Sequence, residues 1–389
     1  MDERTRLLKD AVRRTAPRRP VNPPIERATT LLNAKAETLR SNALGPGYGI
    51  SGGQVHAVLR EALSELEHAQ TVFLAPTGLA AMTIAILAAV EAGDEVLVTD
   101  SVYWPTRRFC EHQLKRFGIA ARFAPPRASA EELMALCTER TRLILMESPG
   151  SLTFEIQDTR AVADAARAKG IRTLVDNTWA AGVYLKPLDH GADISAQALS
   201  KYAGGHSDAF GGSIAVNDPK LAKRIDDVIE DFGWFVSPDD AWLVLRGLRT
   251  LAVRLPEHER SALKVAEWLQ AQPEVVEVLY PALPSSPDHG LWKRDFTGAS
   301  GLMGVELKPG SRQDAEALLD SLQLFGVGFS WGGFESLATW EDPQLTKRQH
   351  QPKRVGPLIR LHIGLEGVDD LIADLRQGLD RYGAATGLR

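Results

Sequence analysis

The chain has 389 residues, 44% of them hydrophobic, and carries 45 Lys plus Arg against 50 Asp plus Glu, for a formal net charge of -5. That length supports two or three domains with substantial cores, and the slightly acidic balance gives no electrostatic reason to bind nucleic acid or an anionic membrane. The longest strongly apolar stretch, residues 79–90, is well below the roughly 20 residues that span a bilayer, and the N-terminal sequence develops no apolar core of a secretory leader. The expectation is a cytoplasmic protein whose partner is a small molecule.

Residues 1–55 are rich in Arg, Pro, Asn and Gly and read as an arm rather than a domain. From His56 a helix runs through Glu67, a short apolar strand follows over 71–75, and Thr77-Gly78 opens a second helix that ends near Gly93. Strand-sized apolar runs at 95–99, 142–147, 172–176 and 194–198 then alternate with helical stretches such as 131–138 and 159–169. This alternation predicts an α/β fold over 56–245, a mostly parallel sheet flanked by helices on both faces. A basic-apolar helix at 262–270, further strands and a final helix at 368–382 predict a smaller α+β domain over 246–389. The two cysteines, Cys110 and Cys137, form no Cys-x-x-Cys pair and are expected to be buried reduced thiols.

Gly47-Tyr48-Gly49-Ile50-Ser51-Gly52 matches the dinucleotide fingerprint letter for letter, but residues 39–46 supply no preceding apolar strand, so a nicotinamide cofactor is not expected. His206-Ser207-Asp208 is no hydrolase triad, because three adjacent residues do not form the required chain of hydrogen bonds. No His or Cys spacing suggests a metal.

The dense chemistry lies elsewhere. Asp176 closes one apolar strand, and Lys201 follows the next and opens a Gly-rich loop. Ligands of open α/β sheets bind outside the carboxyl ends of strands. An amine for a Schiff base and a carboxylate to keep a pyridine nitrogen protonated are what pyridoxal phosphate needs. Gly78 and Leu79, at the start of an apolar helix, offer backbone amides to a phosphate, and the Ser200 hydroxyl offers another donor. Tyr103 and Tyr48 are candidates to stack on the ring. In Ile359-Arg360-Leu361-His362-Ile363 the period of two puts Arg360 and His362 on one face, where the planar Arg360 fork suits a substrate carboxylate. Taken singly, each feature has a plainer reading: a capped helix at Gly78, a structural Asp176, packing tyrosines, an exposed strand arginine.

Together the segments resemble the cystathionine β-lyase branch of the Cys/Met-metabolism family of pyridoxal-phosphate-dependent enzymes. The resemblance is carried by Asp176-Asn177-Thr178-Trp179-Ala180-Ala181-Gly182, Ser200-Lys201-Tyr202, Gly205-His206-Ser207-Asp208, Arg246-Gly247-Leu248-Arg249-Thr250-Leu251 and Trp292-Lys293-Arg294-Asp295-Phe296-Thr297-Gly298. Ser330-Trp331-Gly332-Gly333-Phe334-Glu335-Ser336 and Leu358-Ile359-Arg360-Leu361-His362-Ile363-Gly364-Leu365-Glu366 complete it.

It implies a fold-type-I, aspartate-aminotransferase-like enzyme, a carbon–sulfur lyase that binds pyridoxal 5'-phosphate. Lys201 would carry the cofactor, Asp176 pair with its pyridine nitrogen, Tyr103 stack on the ring, and Gly78, Leu79 and Ser200 hold the phosphate. Ser330, Trp331 and Arg360 match positions that hold the substrate α-carboxylate. Tyr48 matches a residue that reaches the neighbouring subunit's site, which implies a homodimer as the catalytic minimum and a homotetramer as the assembly, and a catalytic role for Tyr48 beside Lys201 and Tyr103. The activity implied is β-elimination from L-cystathionine to homocysteine, pyruvate and ammonia; the alternative is a broader cysteine-S-conjugate β-lyase or cysteine desulfhydrase. In one respect the chain departs from the pattern. Relatives usually carry Tyr-x-Arg in the arm, whose arginine binds the neighbour's cofactor phosphate, whereas this chain reads Tyr48-Gly49-Ile50, and Ala198 stands where relatives often have a second phosphate-binding serine.

Overall fold

The computed structural model describes residues 20–39 and 47–388, together with Thr5 and Leu8. The remainder of the arm expected over 1–55, including 40–46 of the segment ahead of the glycine fingerprint, lies outside the described residues.

The larger of two sheets has seven strands: β1 (Thr71–Ala75), β2 (Glu95–Thr99), β3 (Ala120–Ala124), β4 (Thr141–Glu147), β5 (Arg172–Asp176), β6 (Ile194–Ala198) and β7 (Gly212–Val216), in the order β1-β7-β6-β5-β4-β2-β3. Pairings from β6 through β3 are parallel, and β7 runs antiparallel to both β1 and β6. The apolar runs read at 95–99 and 194–198 are therefore strands buried on both faces, which is why they lack a polar alternation, whereas β3 and β7 are not among the strands expected from sequence. Flanking helices are α1 (Gln54–Glu67), α2 (Gly78–Ala89), α3 (Trp104–Arg108, continued as a wider turn over Phe109–Leu114), α4 (Ala130–Leu136), α5 (Thr159–Ala168) and α6 (Pro219–Phe232). One face of the sheet packs Ala81, Ile84, Leu221 and Ile225 of α2 and α6, while the other packs Leu133 of α4 and Val162 of α5.

A 33-residue helix, α7 (Pro238–Gln270), leads to the second sheet. The separate helix expected at 262–270 is only its C-terminal end, and residue 245 lies inside it. Ser237 starts the helix by accepting the Asp240 amide at 3.0 Å, and the helix continues through Pro256 despite the lost N–H. The second sheet contains β8 (Val275–Leu279), β9 (Leu302–Leu307), β10 (Gly326–Val327), β11 (Leu337–Trp340) and β12 (Leu358–His362), ordered β10-β11-β12-β9-β8. Its pairs are antiparallel apart from β10 with β11. The last helix, α8 (Val368–Thr386), packs Leu371, Leu375 and Tyr382 into the same core as α7.

One correction concerns local environment. Cys110 is buried as expected, and burial pushes its thiol up to about 12. Cys137 is only half-buried: it caps the C-terminus of α4, with Sγ donating to Leu133 O at 3.3 Å.

The fold fixes the loop after β6 with unusual tightness. Gly205 N donates to Lys201 O at 2.8 Å and Gly204 N to Leu199 O at 2.8 Å, so the chain turns immediately after Lys201. Arg254 of α7 donates to Tyr202 O at 2.8 Å, and a Cβ placed on Gly247 would collide with the carbonyl oxygens of Ala203 and Gly204. Gly247→Ala is therefore expected to lower stability by about 1–3 kcal/mol through overpacking, measured as a shift in the urea midpoint. An unchanged midpoint would mean that the loop yields without cost.

Candidate active site

A cavity of about 350 Å3 opens at the carboxyl ends of the parallel strands and is closed from the other side by the second sheet. Nine of the residues singled out from sequence line it: Gly78, Leu79, Tyr103, Asp176, Ser200, Lys201, Ser330, Trp331 and Arg360. Tyr48 does not. It is 54% exposed, forms an isolated bridge with Thr30, and lies apart from this cavity within the single chain.

Lys201 reaches into the cavity from the loop after β6. Its Nζ donates to Ser330 Oγ at 2.6 Å and lies 5.3 Å from the centre of the Trp331 ring. Burial, together with the Arg360 charge, brings the amine down to about 8, against an opposing pull from Asp176. Asp176, the last residue of β5, lies in register with Glu147 of β4 and Ala196 of β6. Its Oδ1 accepts the Thr178 amide at 3.1 Å and the Thr178 hydroxyl at 2.5 Å, which fixes the carboxylate. Burial raises its pKa, and these hydrogen bonds and Lys201 resist the rise.

Arg360 projects from β12 and is buried, with NH1 3.3 Å from Glu341 Oε1 and NH2 3.4 Å from Ser330 O. The alternation expected of that strand assigned its arginine correctly to the side bearing His362, but all five residues of β12 are buried, so Arg360 is no exposed strand residue. Ser330 has φ +84, a left-handed conformation that a non-glycine residue holds only where its surroundings enforce it.

At the far end, Thr77 Oγ1 accepts the Ala80 amide at 3.0 Å and Thr77 O accepts from Ala81, so the amides of Gly78 and Leu79 are the first-turn donors that α2 does not use. Gly78 packs so closely on Ala198 that a Cβ there would collide with the Ala198 methyl. Ser200 also lines this end, its Oγ accepting the Gly211 amide at 3.2 Å. An amine, a carboxylate held at a neighbouring strand end, and a helix N-terminus beside the Ser200 hydroxyl, which donates to Gly211 O at 3.4 Å, form a donor set that fits pyridoxal phosphate.

Sequence reasoning missed Glu147 and Thr178. Glu147 lines the cavity and accepts the Tyr103 amide at 2.5 Å, fixing the backbone that carries the exposed Tyr103 ring. Burial and the neighbouring Asp176 push its carboxyl well above the usual range, against the opposing Tyr103 amide. Its signal was present, since it ends an apolar strand in the same manner as Asp176. His206-Ser207-Asp208 lies outside the cavity lining, with the Ser207 hydroxyl turned to Glu335. Among the described residues no group of three or more His, Cys, Asp or Glu side chains is placed to hold a metal ion, and no helix is long and apolar enough to cross a membrane.

Comparison with known proteins agrees with this arrangement. The family of Cys/Met metabolism PLP-dependent enzymes matches over residues 4–380. Cystathionine beta-lyase of Bordetella avium is 43% identical over 370 residues, covering 93% of this chain and 92% of that protein. Cystathionine beta-lyase MetC of Escherichia coli is 42% identical over 372 residues, covering 93% and 94%. The crystal structure of metB from Corynebacterium glutamicum superposes with a TM-score of 0.92 at 29% identity, covering 98% of each chain. With a cavity that gathers a buried lysine, a strand-end aspartate and a helix N-terminus, and with a family match over nearly its whole length, the chain belongs to the Cys/Met metabolism PLP-dependent enzymes.

Proposed function

We propose that this protein cleaves the carbon–sulfur bond of L-cystathionine by β-elimination, releasing homocysteine, pyruvate and ammonia. The observation that carries the reading is the buried Lys201 amine, brought to about 8 within a cavity that also holds Asp176 and Arg360. It is supported by relatives of 42–43% identity that are named cystathionine beta-lyases.

When bound, pyridoxal phosphate supplies an electron sink for the charge that develops at the substrate Cα. Asp176 holds a proton on the pyridine nitrogen, which requires the ionised carboxylate that Thr178 and Lys201 favour. Arg360 binds the α-carboxylate as a fork, and its buried guanidinium remains cationic. Ser330 and Trp331 form the wall beside that carboxylate. Lys201 in its free-amine form removes the Cα proton, for which a pKa near the working pH is suited. Tyr103 covers the ring, and Glu147 steadies it through the backbone. The phosphate is held by the Gly78 and Leu79 amides and the Ser200 hydroxyl.

We further assign residues 1–55 to an arm that contributes Tyr48 to a neighbouring subunit, 56–245 to the cofactor domain and 246–389 to the small domain. The arm role requires a homodimer at least; assembly as a tetramer and a cytoplasmic location complete the proposal. The exposed Tyr48 ring supports this assignment, because it is apolar surface without a partner in its own chain's cavity.

The direct test is pyruvate release from L-cystathionine by purified protein, with cystine and cysteine compared by kcat/KM to separate the broader lyase reading. Lys201→Ala is expected to abolish turnover, and steady pyruvate production by that variant above an empty-vector preparation would sink the assignment. Because only the free amine attacks a carbonyl, capture of pyridoxal phosphate by the cofactor-free protein should accelerate with pH and level off above about 8. A rate still climbing steeply past the ordinary lysine value of 10.5 would contradict the burial argument. Ile50→Arg restores the arginine of the family pattern and is expected to tighten cofactor binding roughly 10- to 100-fold, the worth of one charge-assisted hydrogen bond. An unchanged dissociation constant by spectrophotometric titration would show that position 50 does not reach the phosphate.

A further inference from the structure

We propose that His362 and His258 pair through one bridging water and so fix the loop over residues 330–333 against Lys201, which makes His362 a positioning residue of the active site. Its kinetic consequence rests on the function proposed above, whereas the structural claim stands independently.

The observations are a set of buried ring atoms that do not yet balance. His362 ends β12, two residues beyond Arg360, and its Nε2 lies 3.1 Å from both Gly332 N and Gly333 O. Its Nδ1 is buried without a partner in the described structure. His258, on α7, has Nδ1 2.8 Å from Ile363 O, and its Nε2 is likewise buried and unpaired. The two rings are neighbours, with centroids 5.3 Å apart and planes tilted by 40°. Burial brings His258 down to about 4 and His362 to about 3, so both are neutral near pH 7.

A neutral imidazole has one donor and one acceptor nitrogen, which settles the arithmetic. Ile363 O only accepts, so His258 Nδ1 carries the hydrogen and Nε2 presents a lone pair. If His362 Nε2 donated to Gly333 O, its Nδ1 would be a second bare lone pair beside the first. If instead Nε2 accepts the Gly332 amide, Nδ1 carries a hydrogen and complements His258 Nε2. Only this tautomer lets the two orphaned atoms satisfy each other, through one bridging water, at the cost of the Gly333 O contact, and buried polar groups are rarely left bare.

The loop so held is the one that needs holding. Ser330 sits at φ +84 and Gly332 at φ +88, and a Cβ on Gly332 would lie 2.7 Å from Tyr202 N and 2.8 Å from Lys201 C. The loop therefore rests on the lysine's own backbone while Ser330 Oγ accepts from its amine. Tyr202 joins the cluster, its ring 5.3 Å from His258, 5.4 Å from Trp331 and 5.8 Å from His362.

The test is amide hydrogen exchange in the full-length protein, with and without pyridoxal phosphate, beside steady-state kinetics on L-cystathionine. His362→Phe and His258→Phe should each raise exchange across 330–333 by about tenfold or more, with β2, β4 and β5 unchanged, as expected of a local opening. His362→Gln keeps an acceptor and a donor and should return exchange to within about threefold of the parent, and the Phe/Phe double variant should be no worse than either single one. In the kinetics the loop variants should raise KM about tenfold while kcat moves less. Unchanged exchange at 330–333 in His258→Phe overturns the pair, as does a His362→Gln variant as loose as His362→Phe. Exchange rising equally throughout the protein also overturns it, by reducing the histidines to general stability. Should His362→Phe not fold, His258→Phe and His362→Gln decide between these outcomes. An absence of pyruvate from the parent enzyme, with the exchange pattern intact, would count against the substrate and leave the pair standing.

Discussion

The rest of the site depends on keeping the Lys201 amine out of water close to a second buried cation. Both Lys201 and Arg360 would rather be ionised in bulk solvent, and withdrawing them together penalises the pair. Arg360 does not yield its proton, so the lysine does, and its pKa falls to about 8. Asp176 limits that fall, and Glu341 satisfies the guanidinium from its buried side. The site thus has one fixed cation, one carboxylate and one amine whose protonation is balanced between them. That balance exists only while the loop after β6 and the loop carrying Ser330 remain packed on each other.

This explains why the two sheets are tied together more firmly than a simple cleft requires. Lysine and aspartate come from the large sheet, whereas arginine, Ser330 and Trp331 come from the small one. The uninterrupted α7 carries Arg254 against the Tyr202 carbonyl and His258 against the end of β12, so one rigid element touches both halves. A second tie is Arg348, buried and bonded to the Thr153 hydroxyl at 2.7 Å and to the Ser151 carbonyl. It braces a segment in which Leu152 and Phe154, both lining the cavity, hold positive φ. Backbone strain of this kind persists only where surroundings over-determine it, and of the six such non-glycine positions among the described residues Leu152, Phe154 and Ser330 line the cavity.

The sheet, most strand limits and nine cavity-lining residues were legible in the sequence because buried parallel strands are continuous apolar runs and their ends are where polar residues gather. Asp176 and Lys201 stood out by that rule. Glu147 obeyed the same rule and was passed over because a glutamate after an apolar run is usually a solvated strand end; only its register beside Asp176 reveals it. The length of α7 was hidden by Pro256, which reads as a helix break, although the buried positions 241, 244, 248, 251, 255, 258, 262, 265 and 269 run in one helical stripe. His258 and His362 were illegible for another reason: their meaning lies in which ring atoms lack partners, and no periodicity encodes that.

The phosphate end shows how far neutral groups must carry a charged ligand. Of the residues lining the cavity, the cations are Lys201 and Arg360, and both are engaged with Ser330 and its surroundings. At the other end stand the Gly78 and Leu79 amides and the hydroxyls of Thr77 and Ser200. A helix N-terminus attracts an anion through its spare amides and its dipole, and α2 is apolar on all sides, with its body buried from Ala81 onward and its first turn open to the cavity. On the proposed reading the arm supplies Ile50 where a guanidinium would otherwise stand, so α2 carries most of the electrostatic attraction. The apolar character of that helix, which from sequence resembles nothing more than core, then becomes part of cofactor binding.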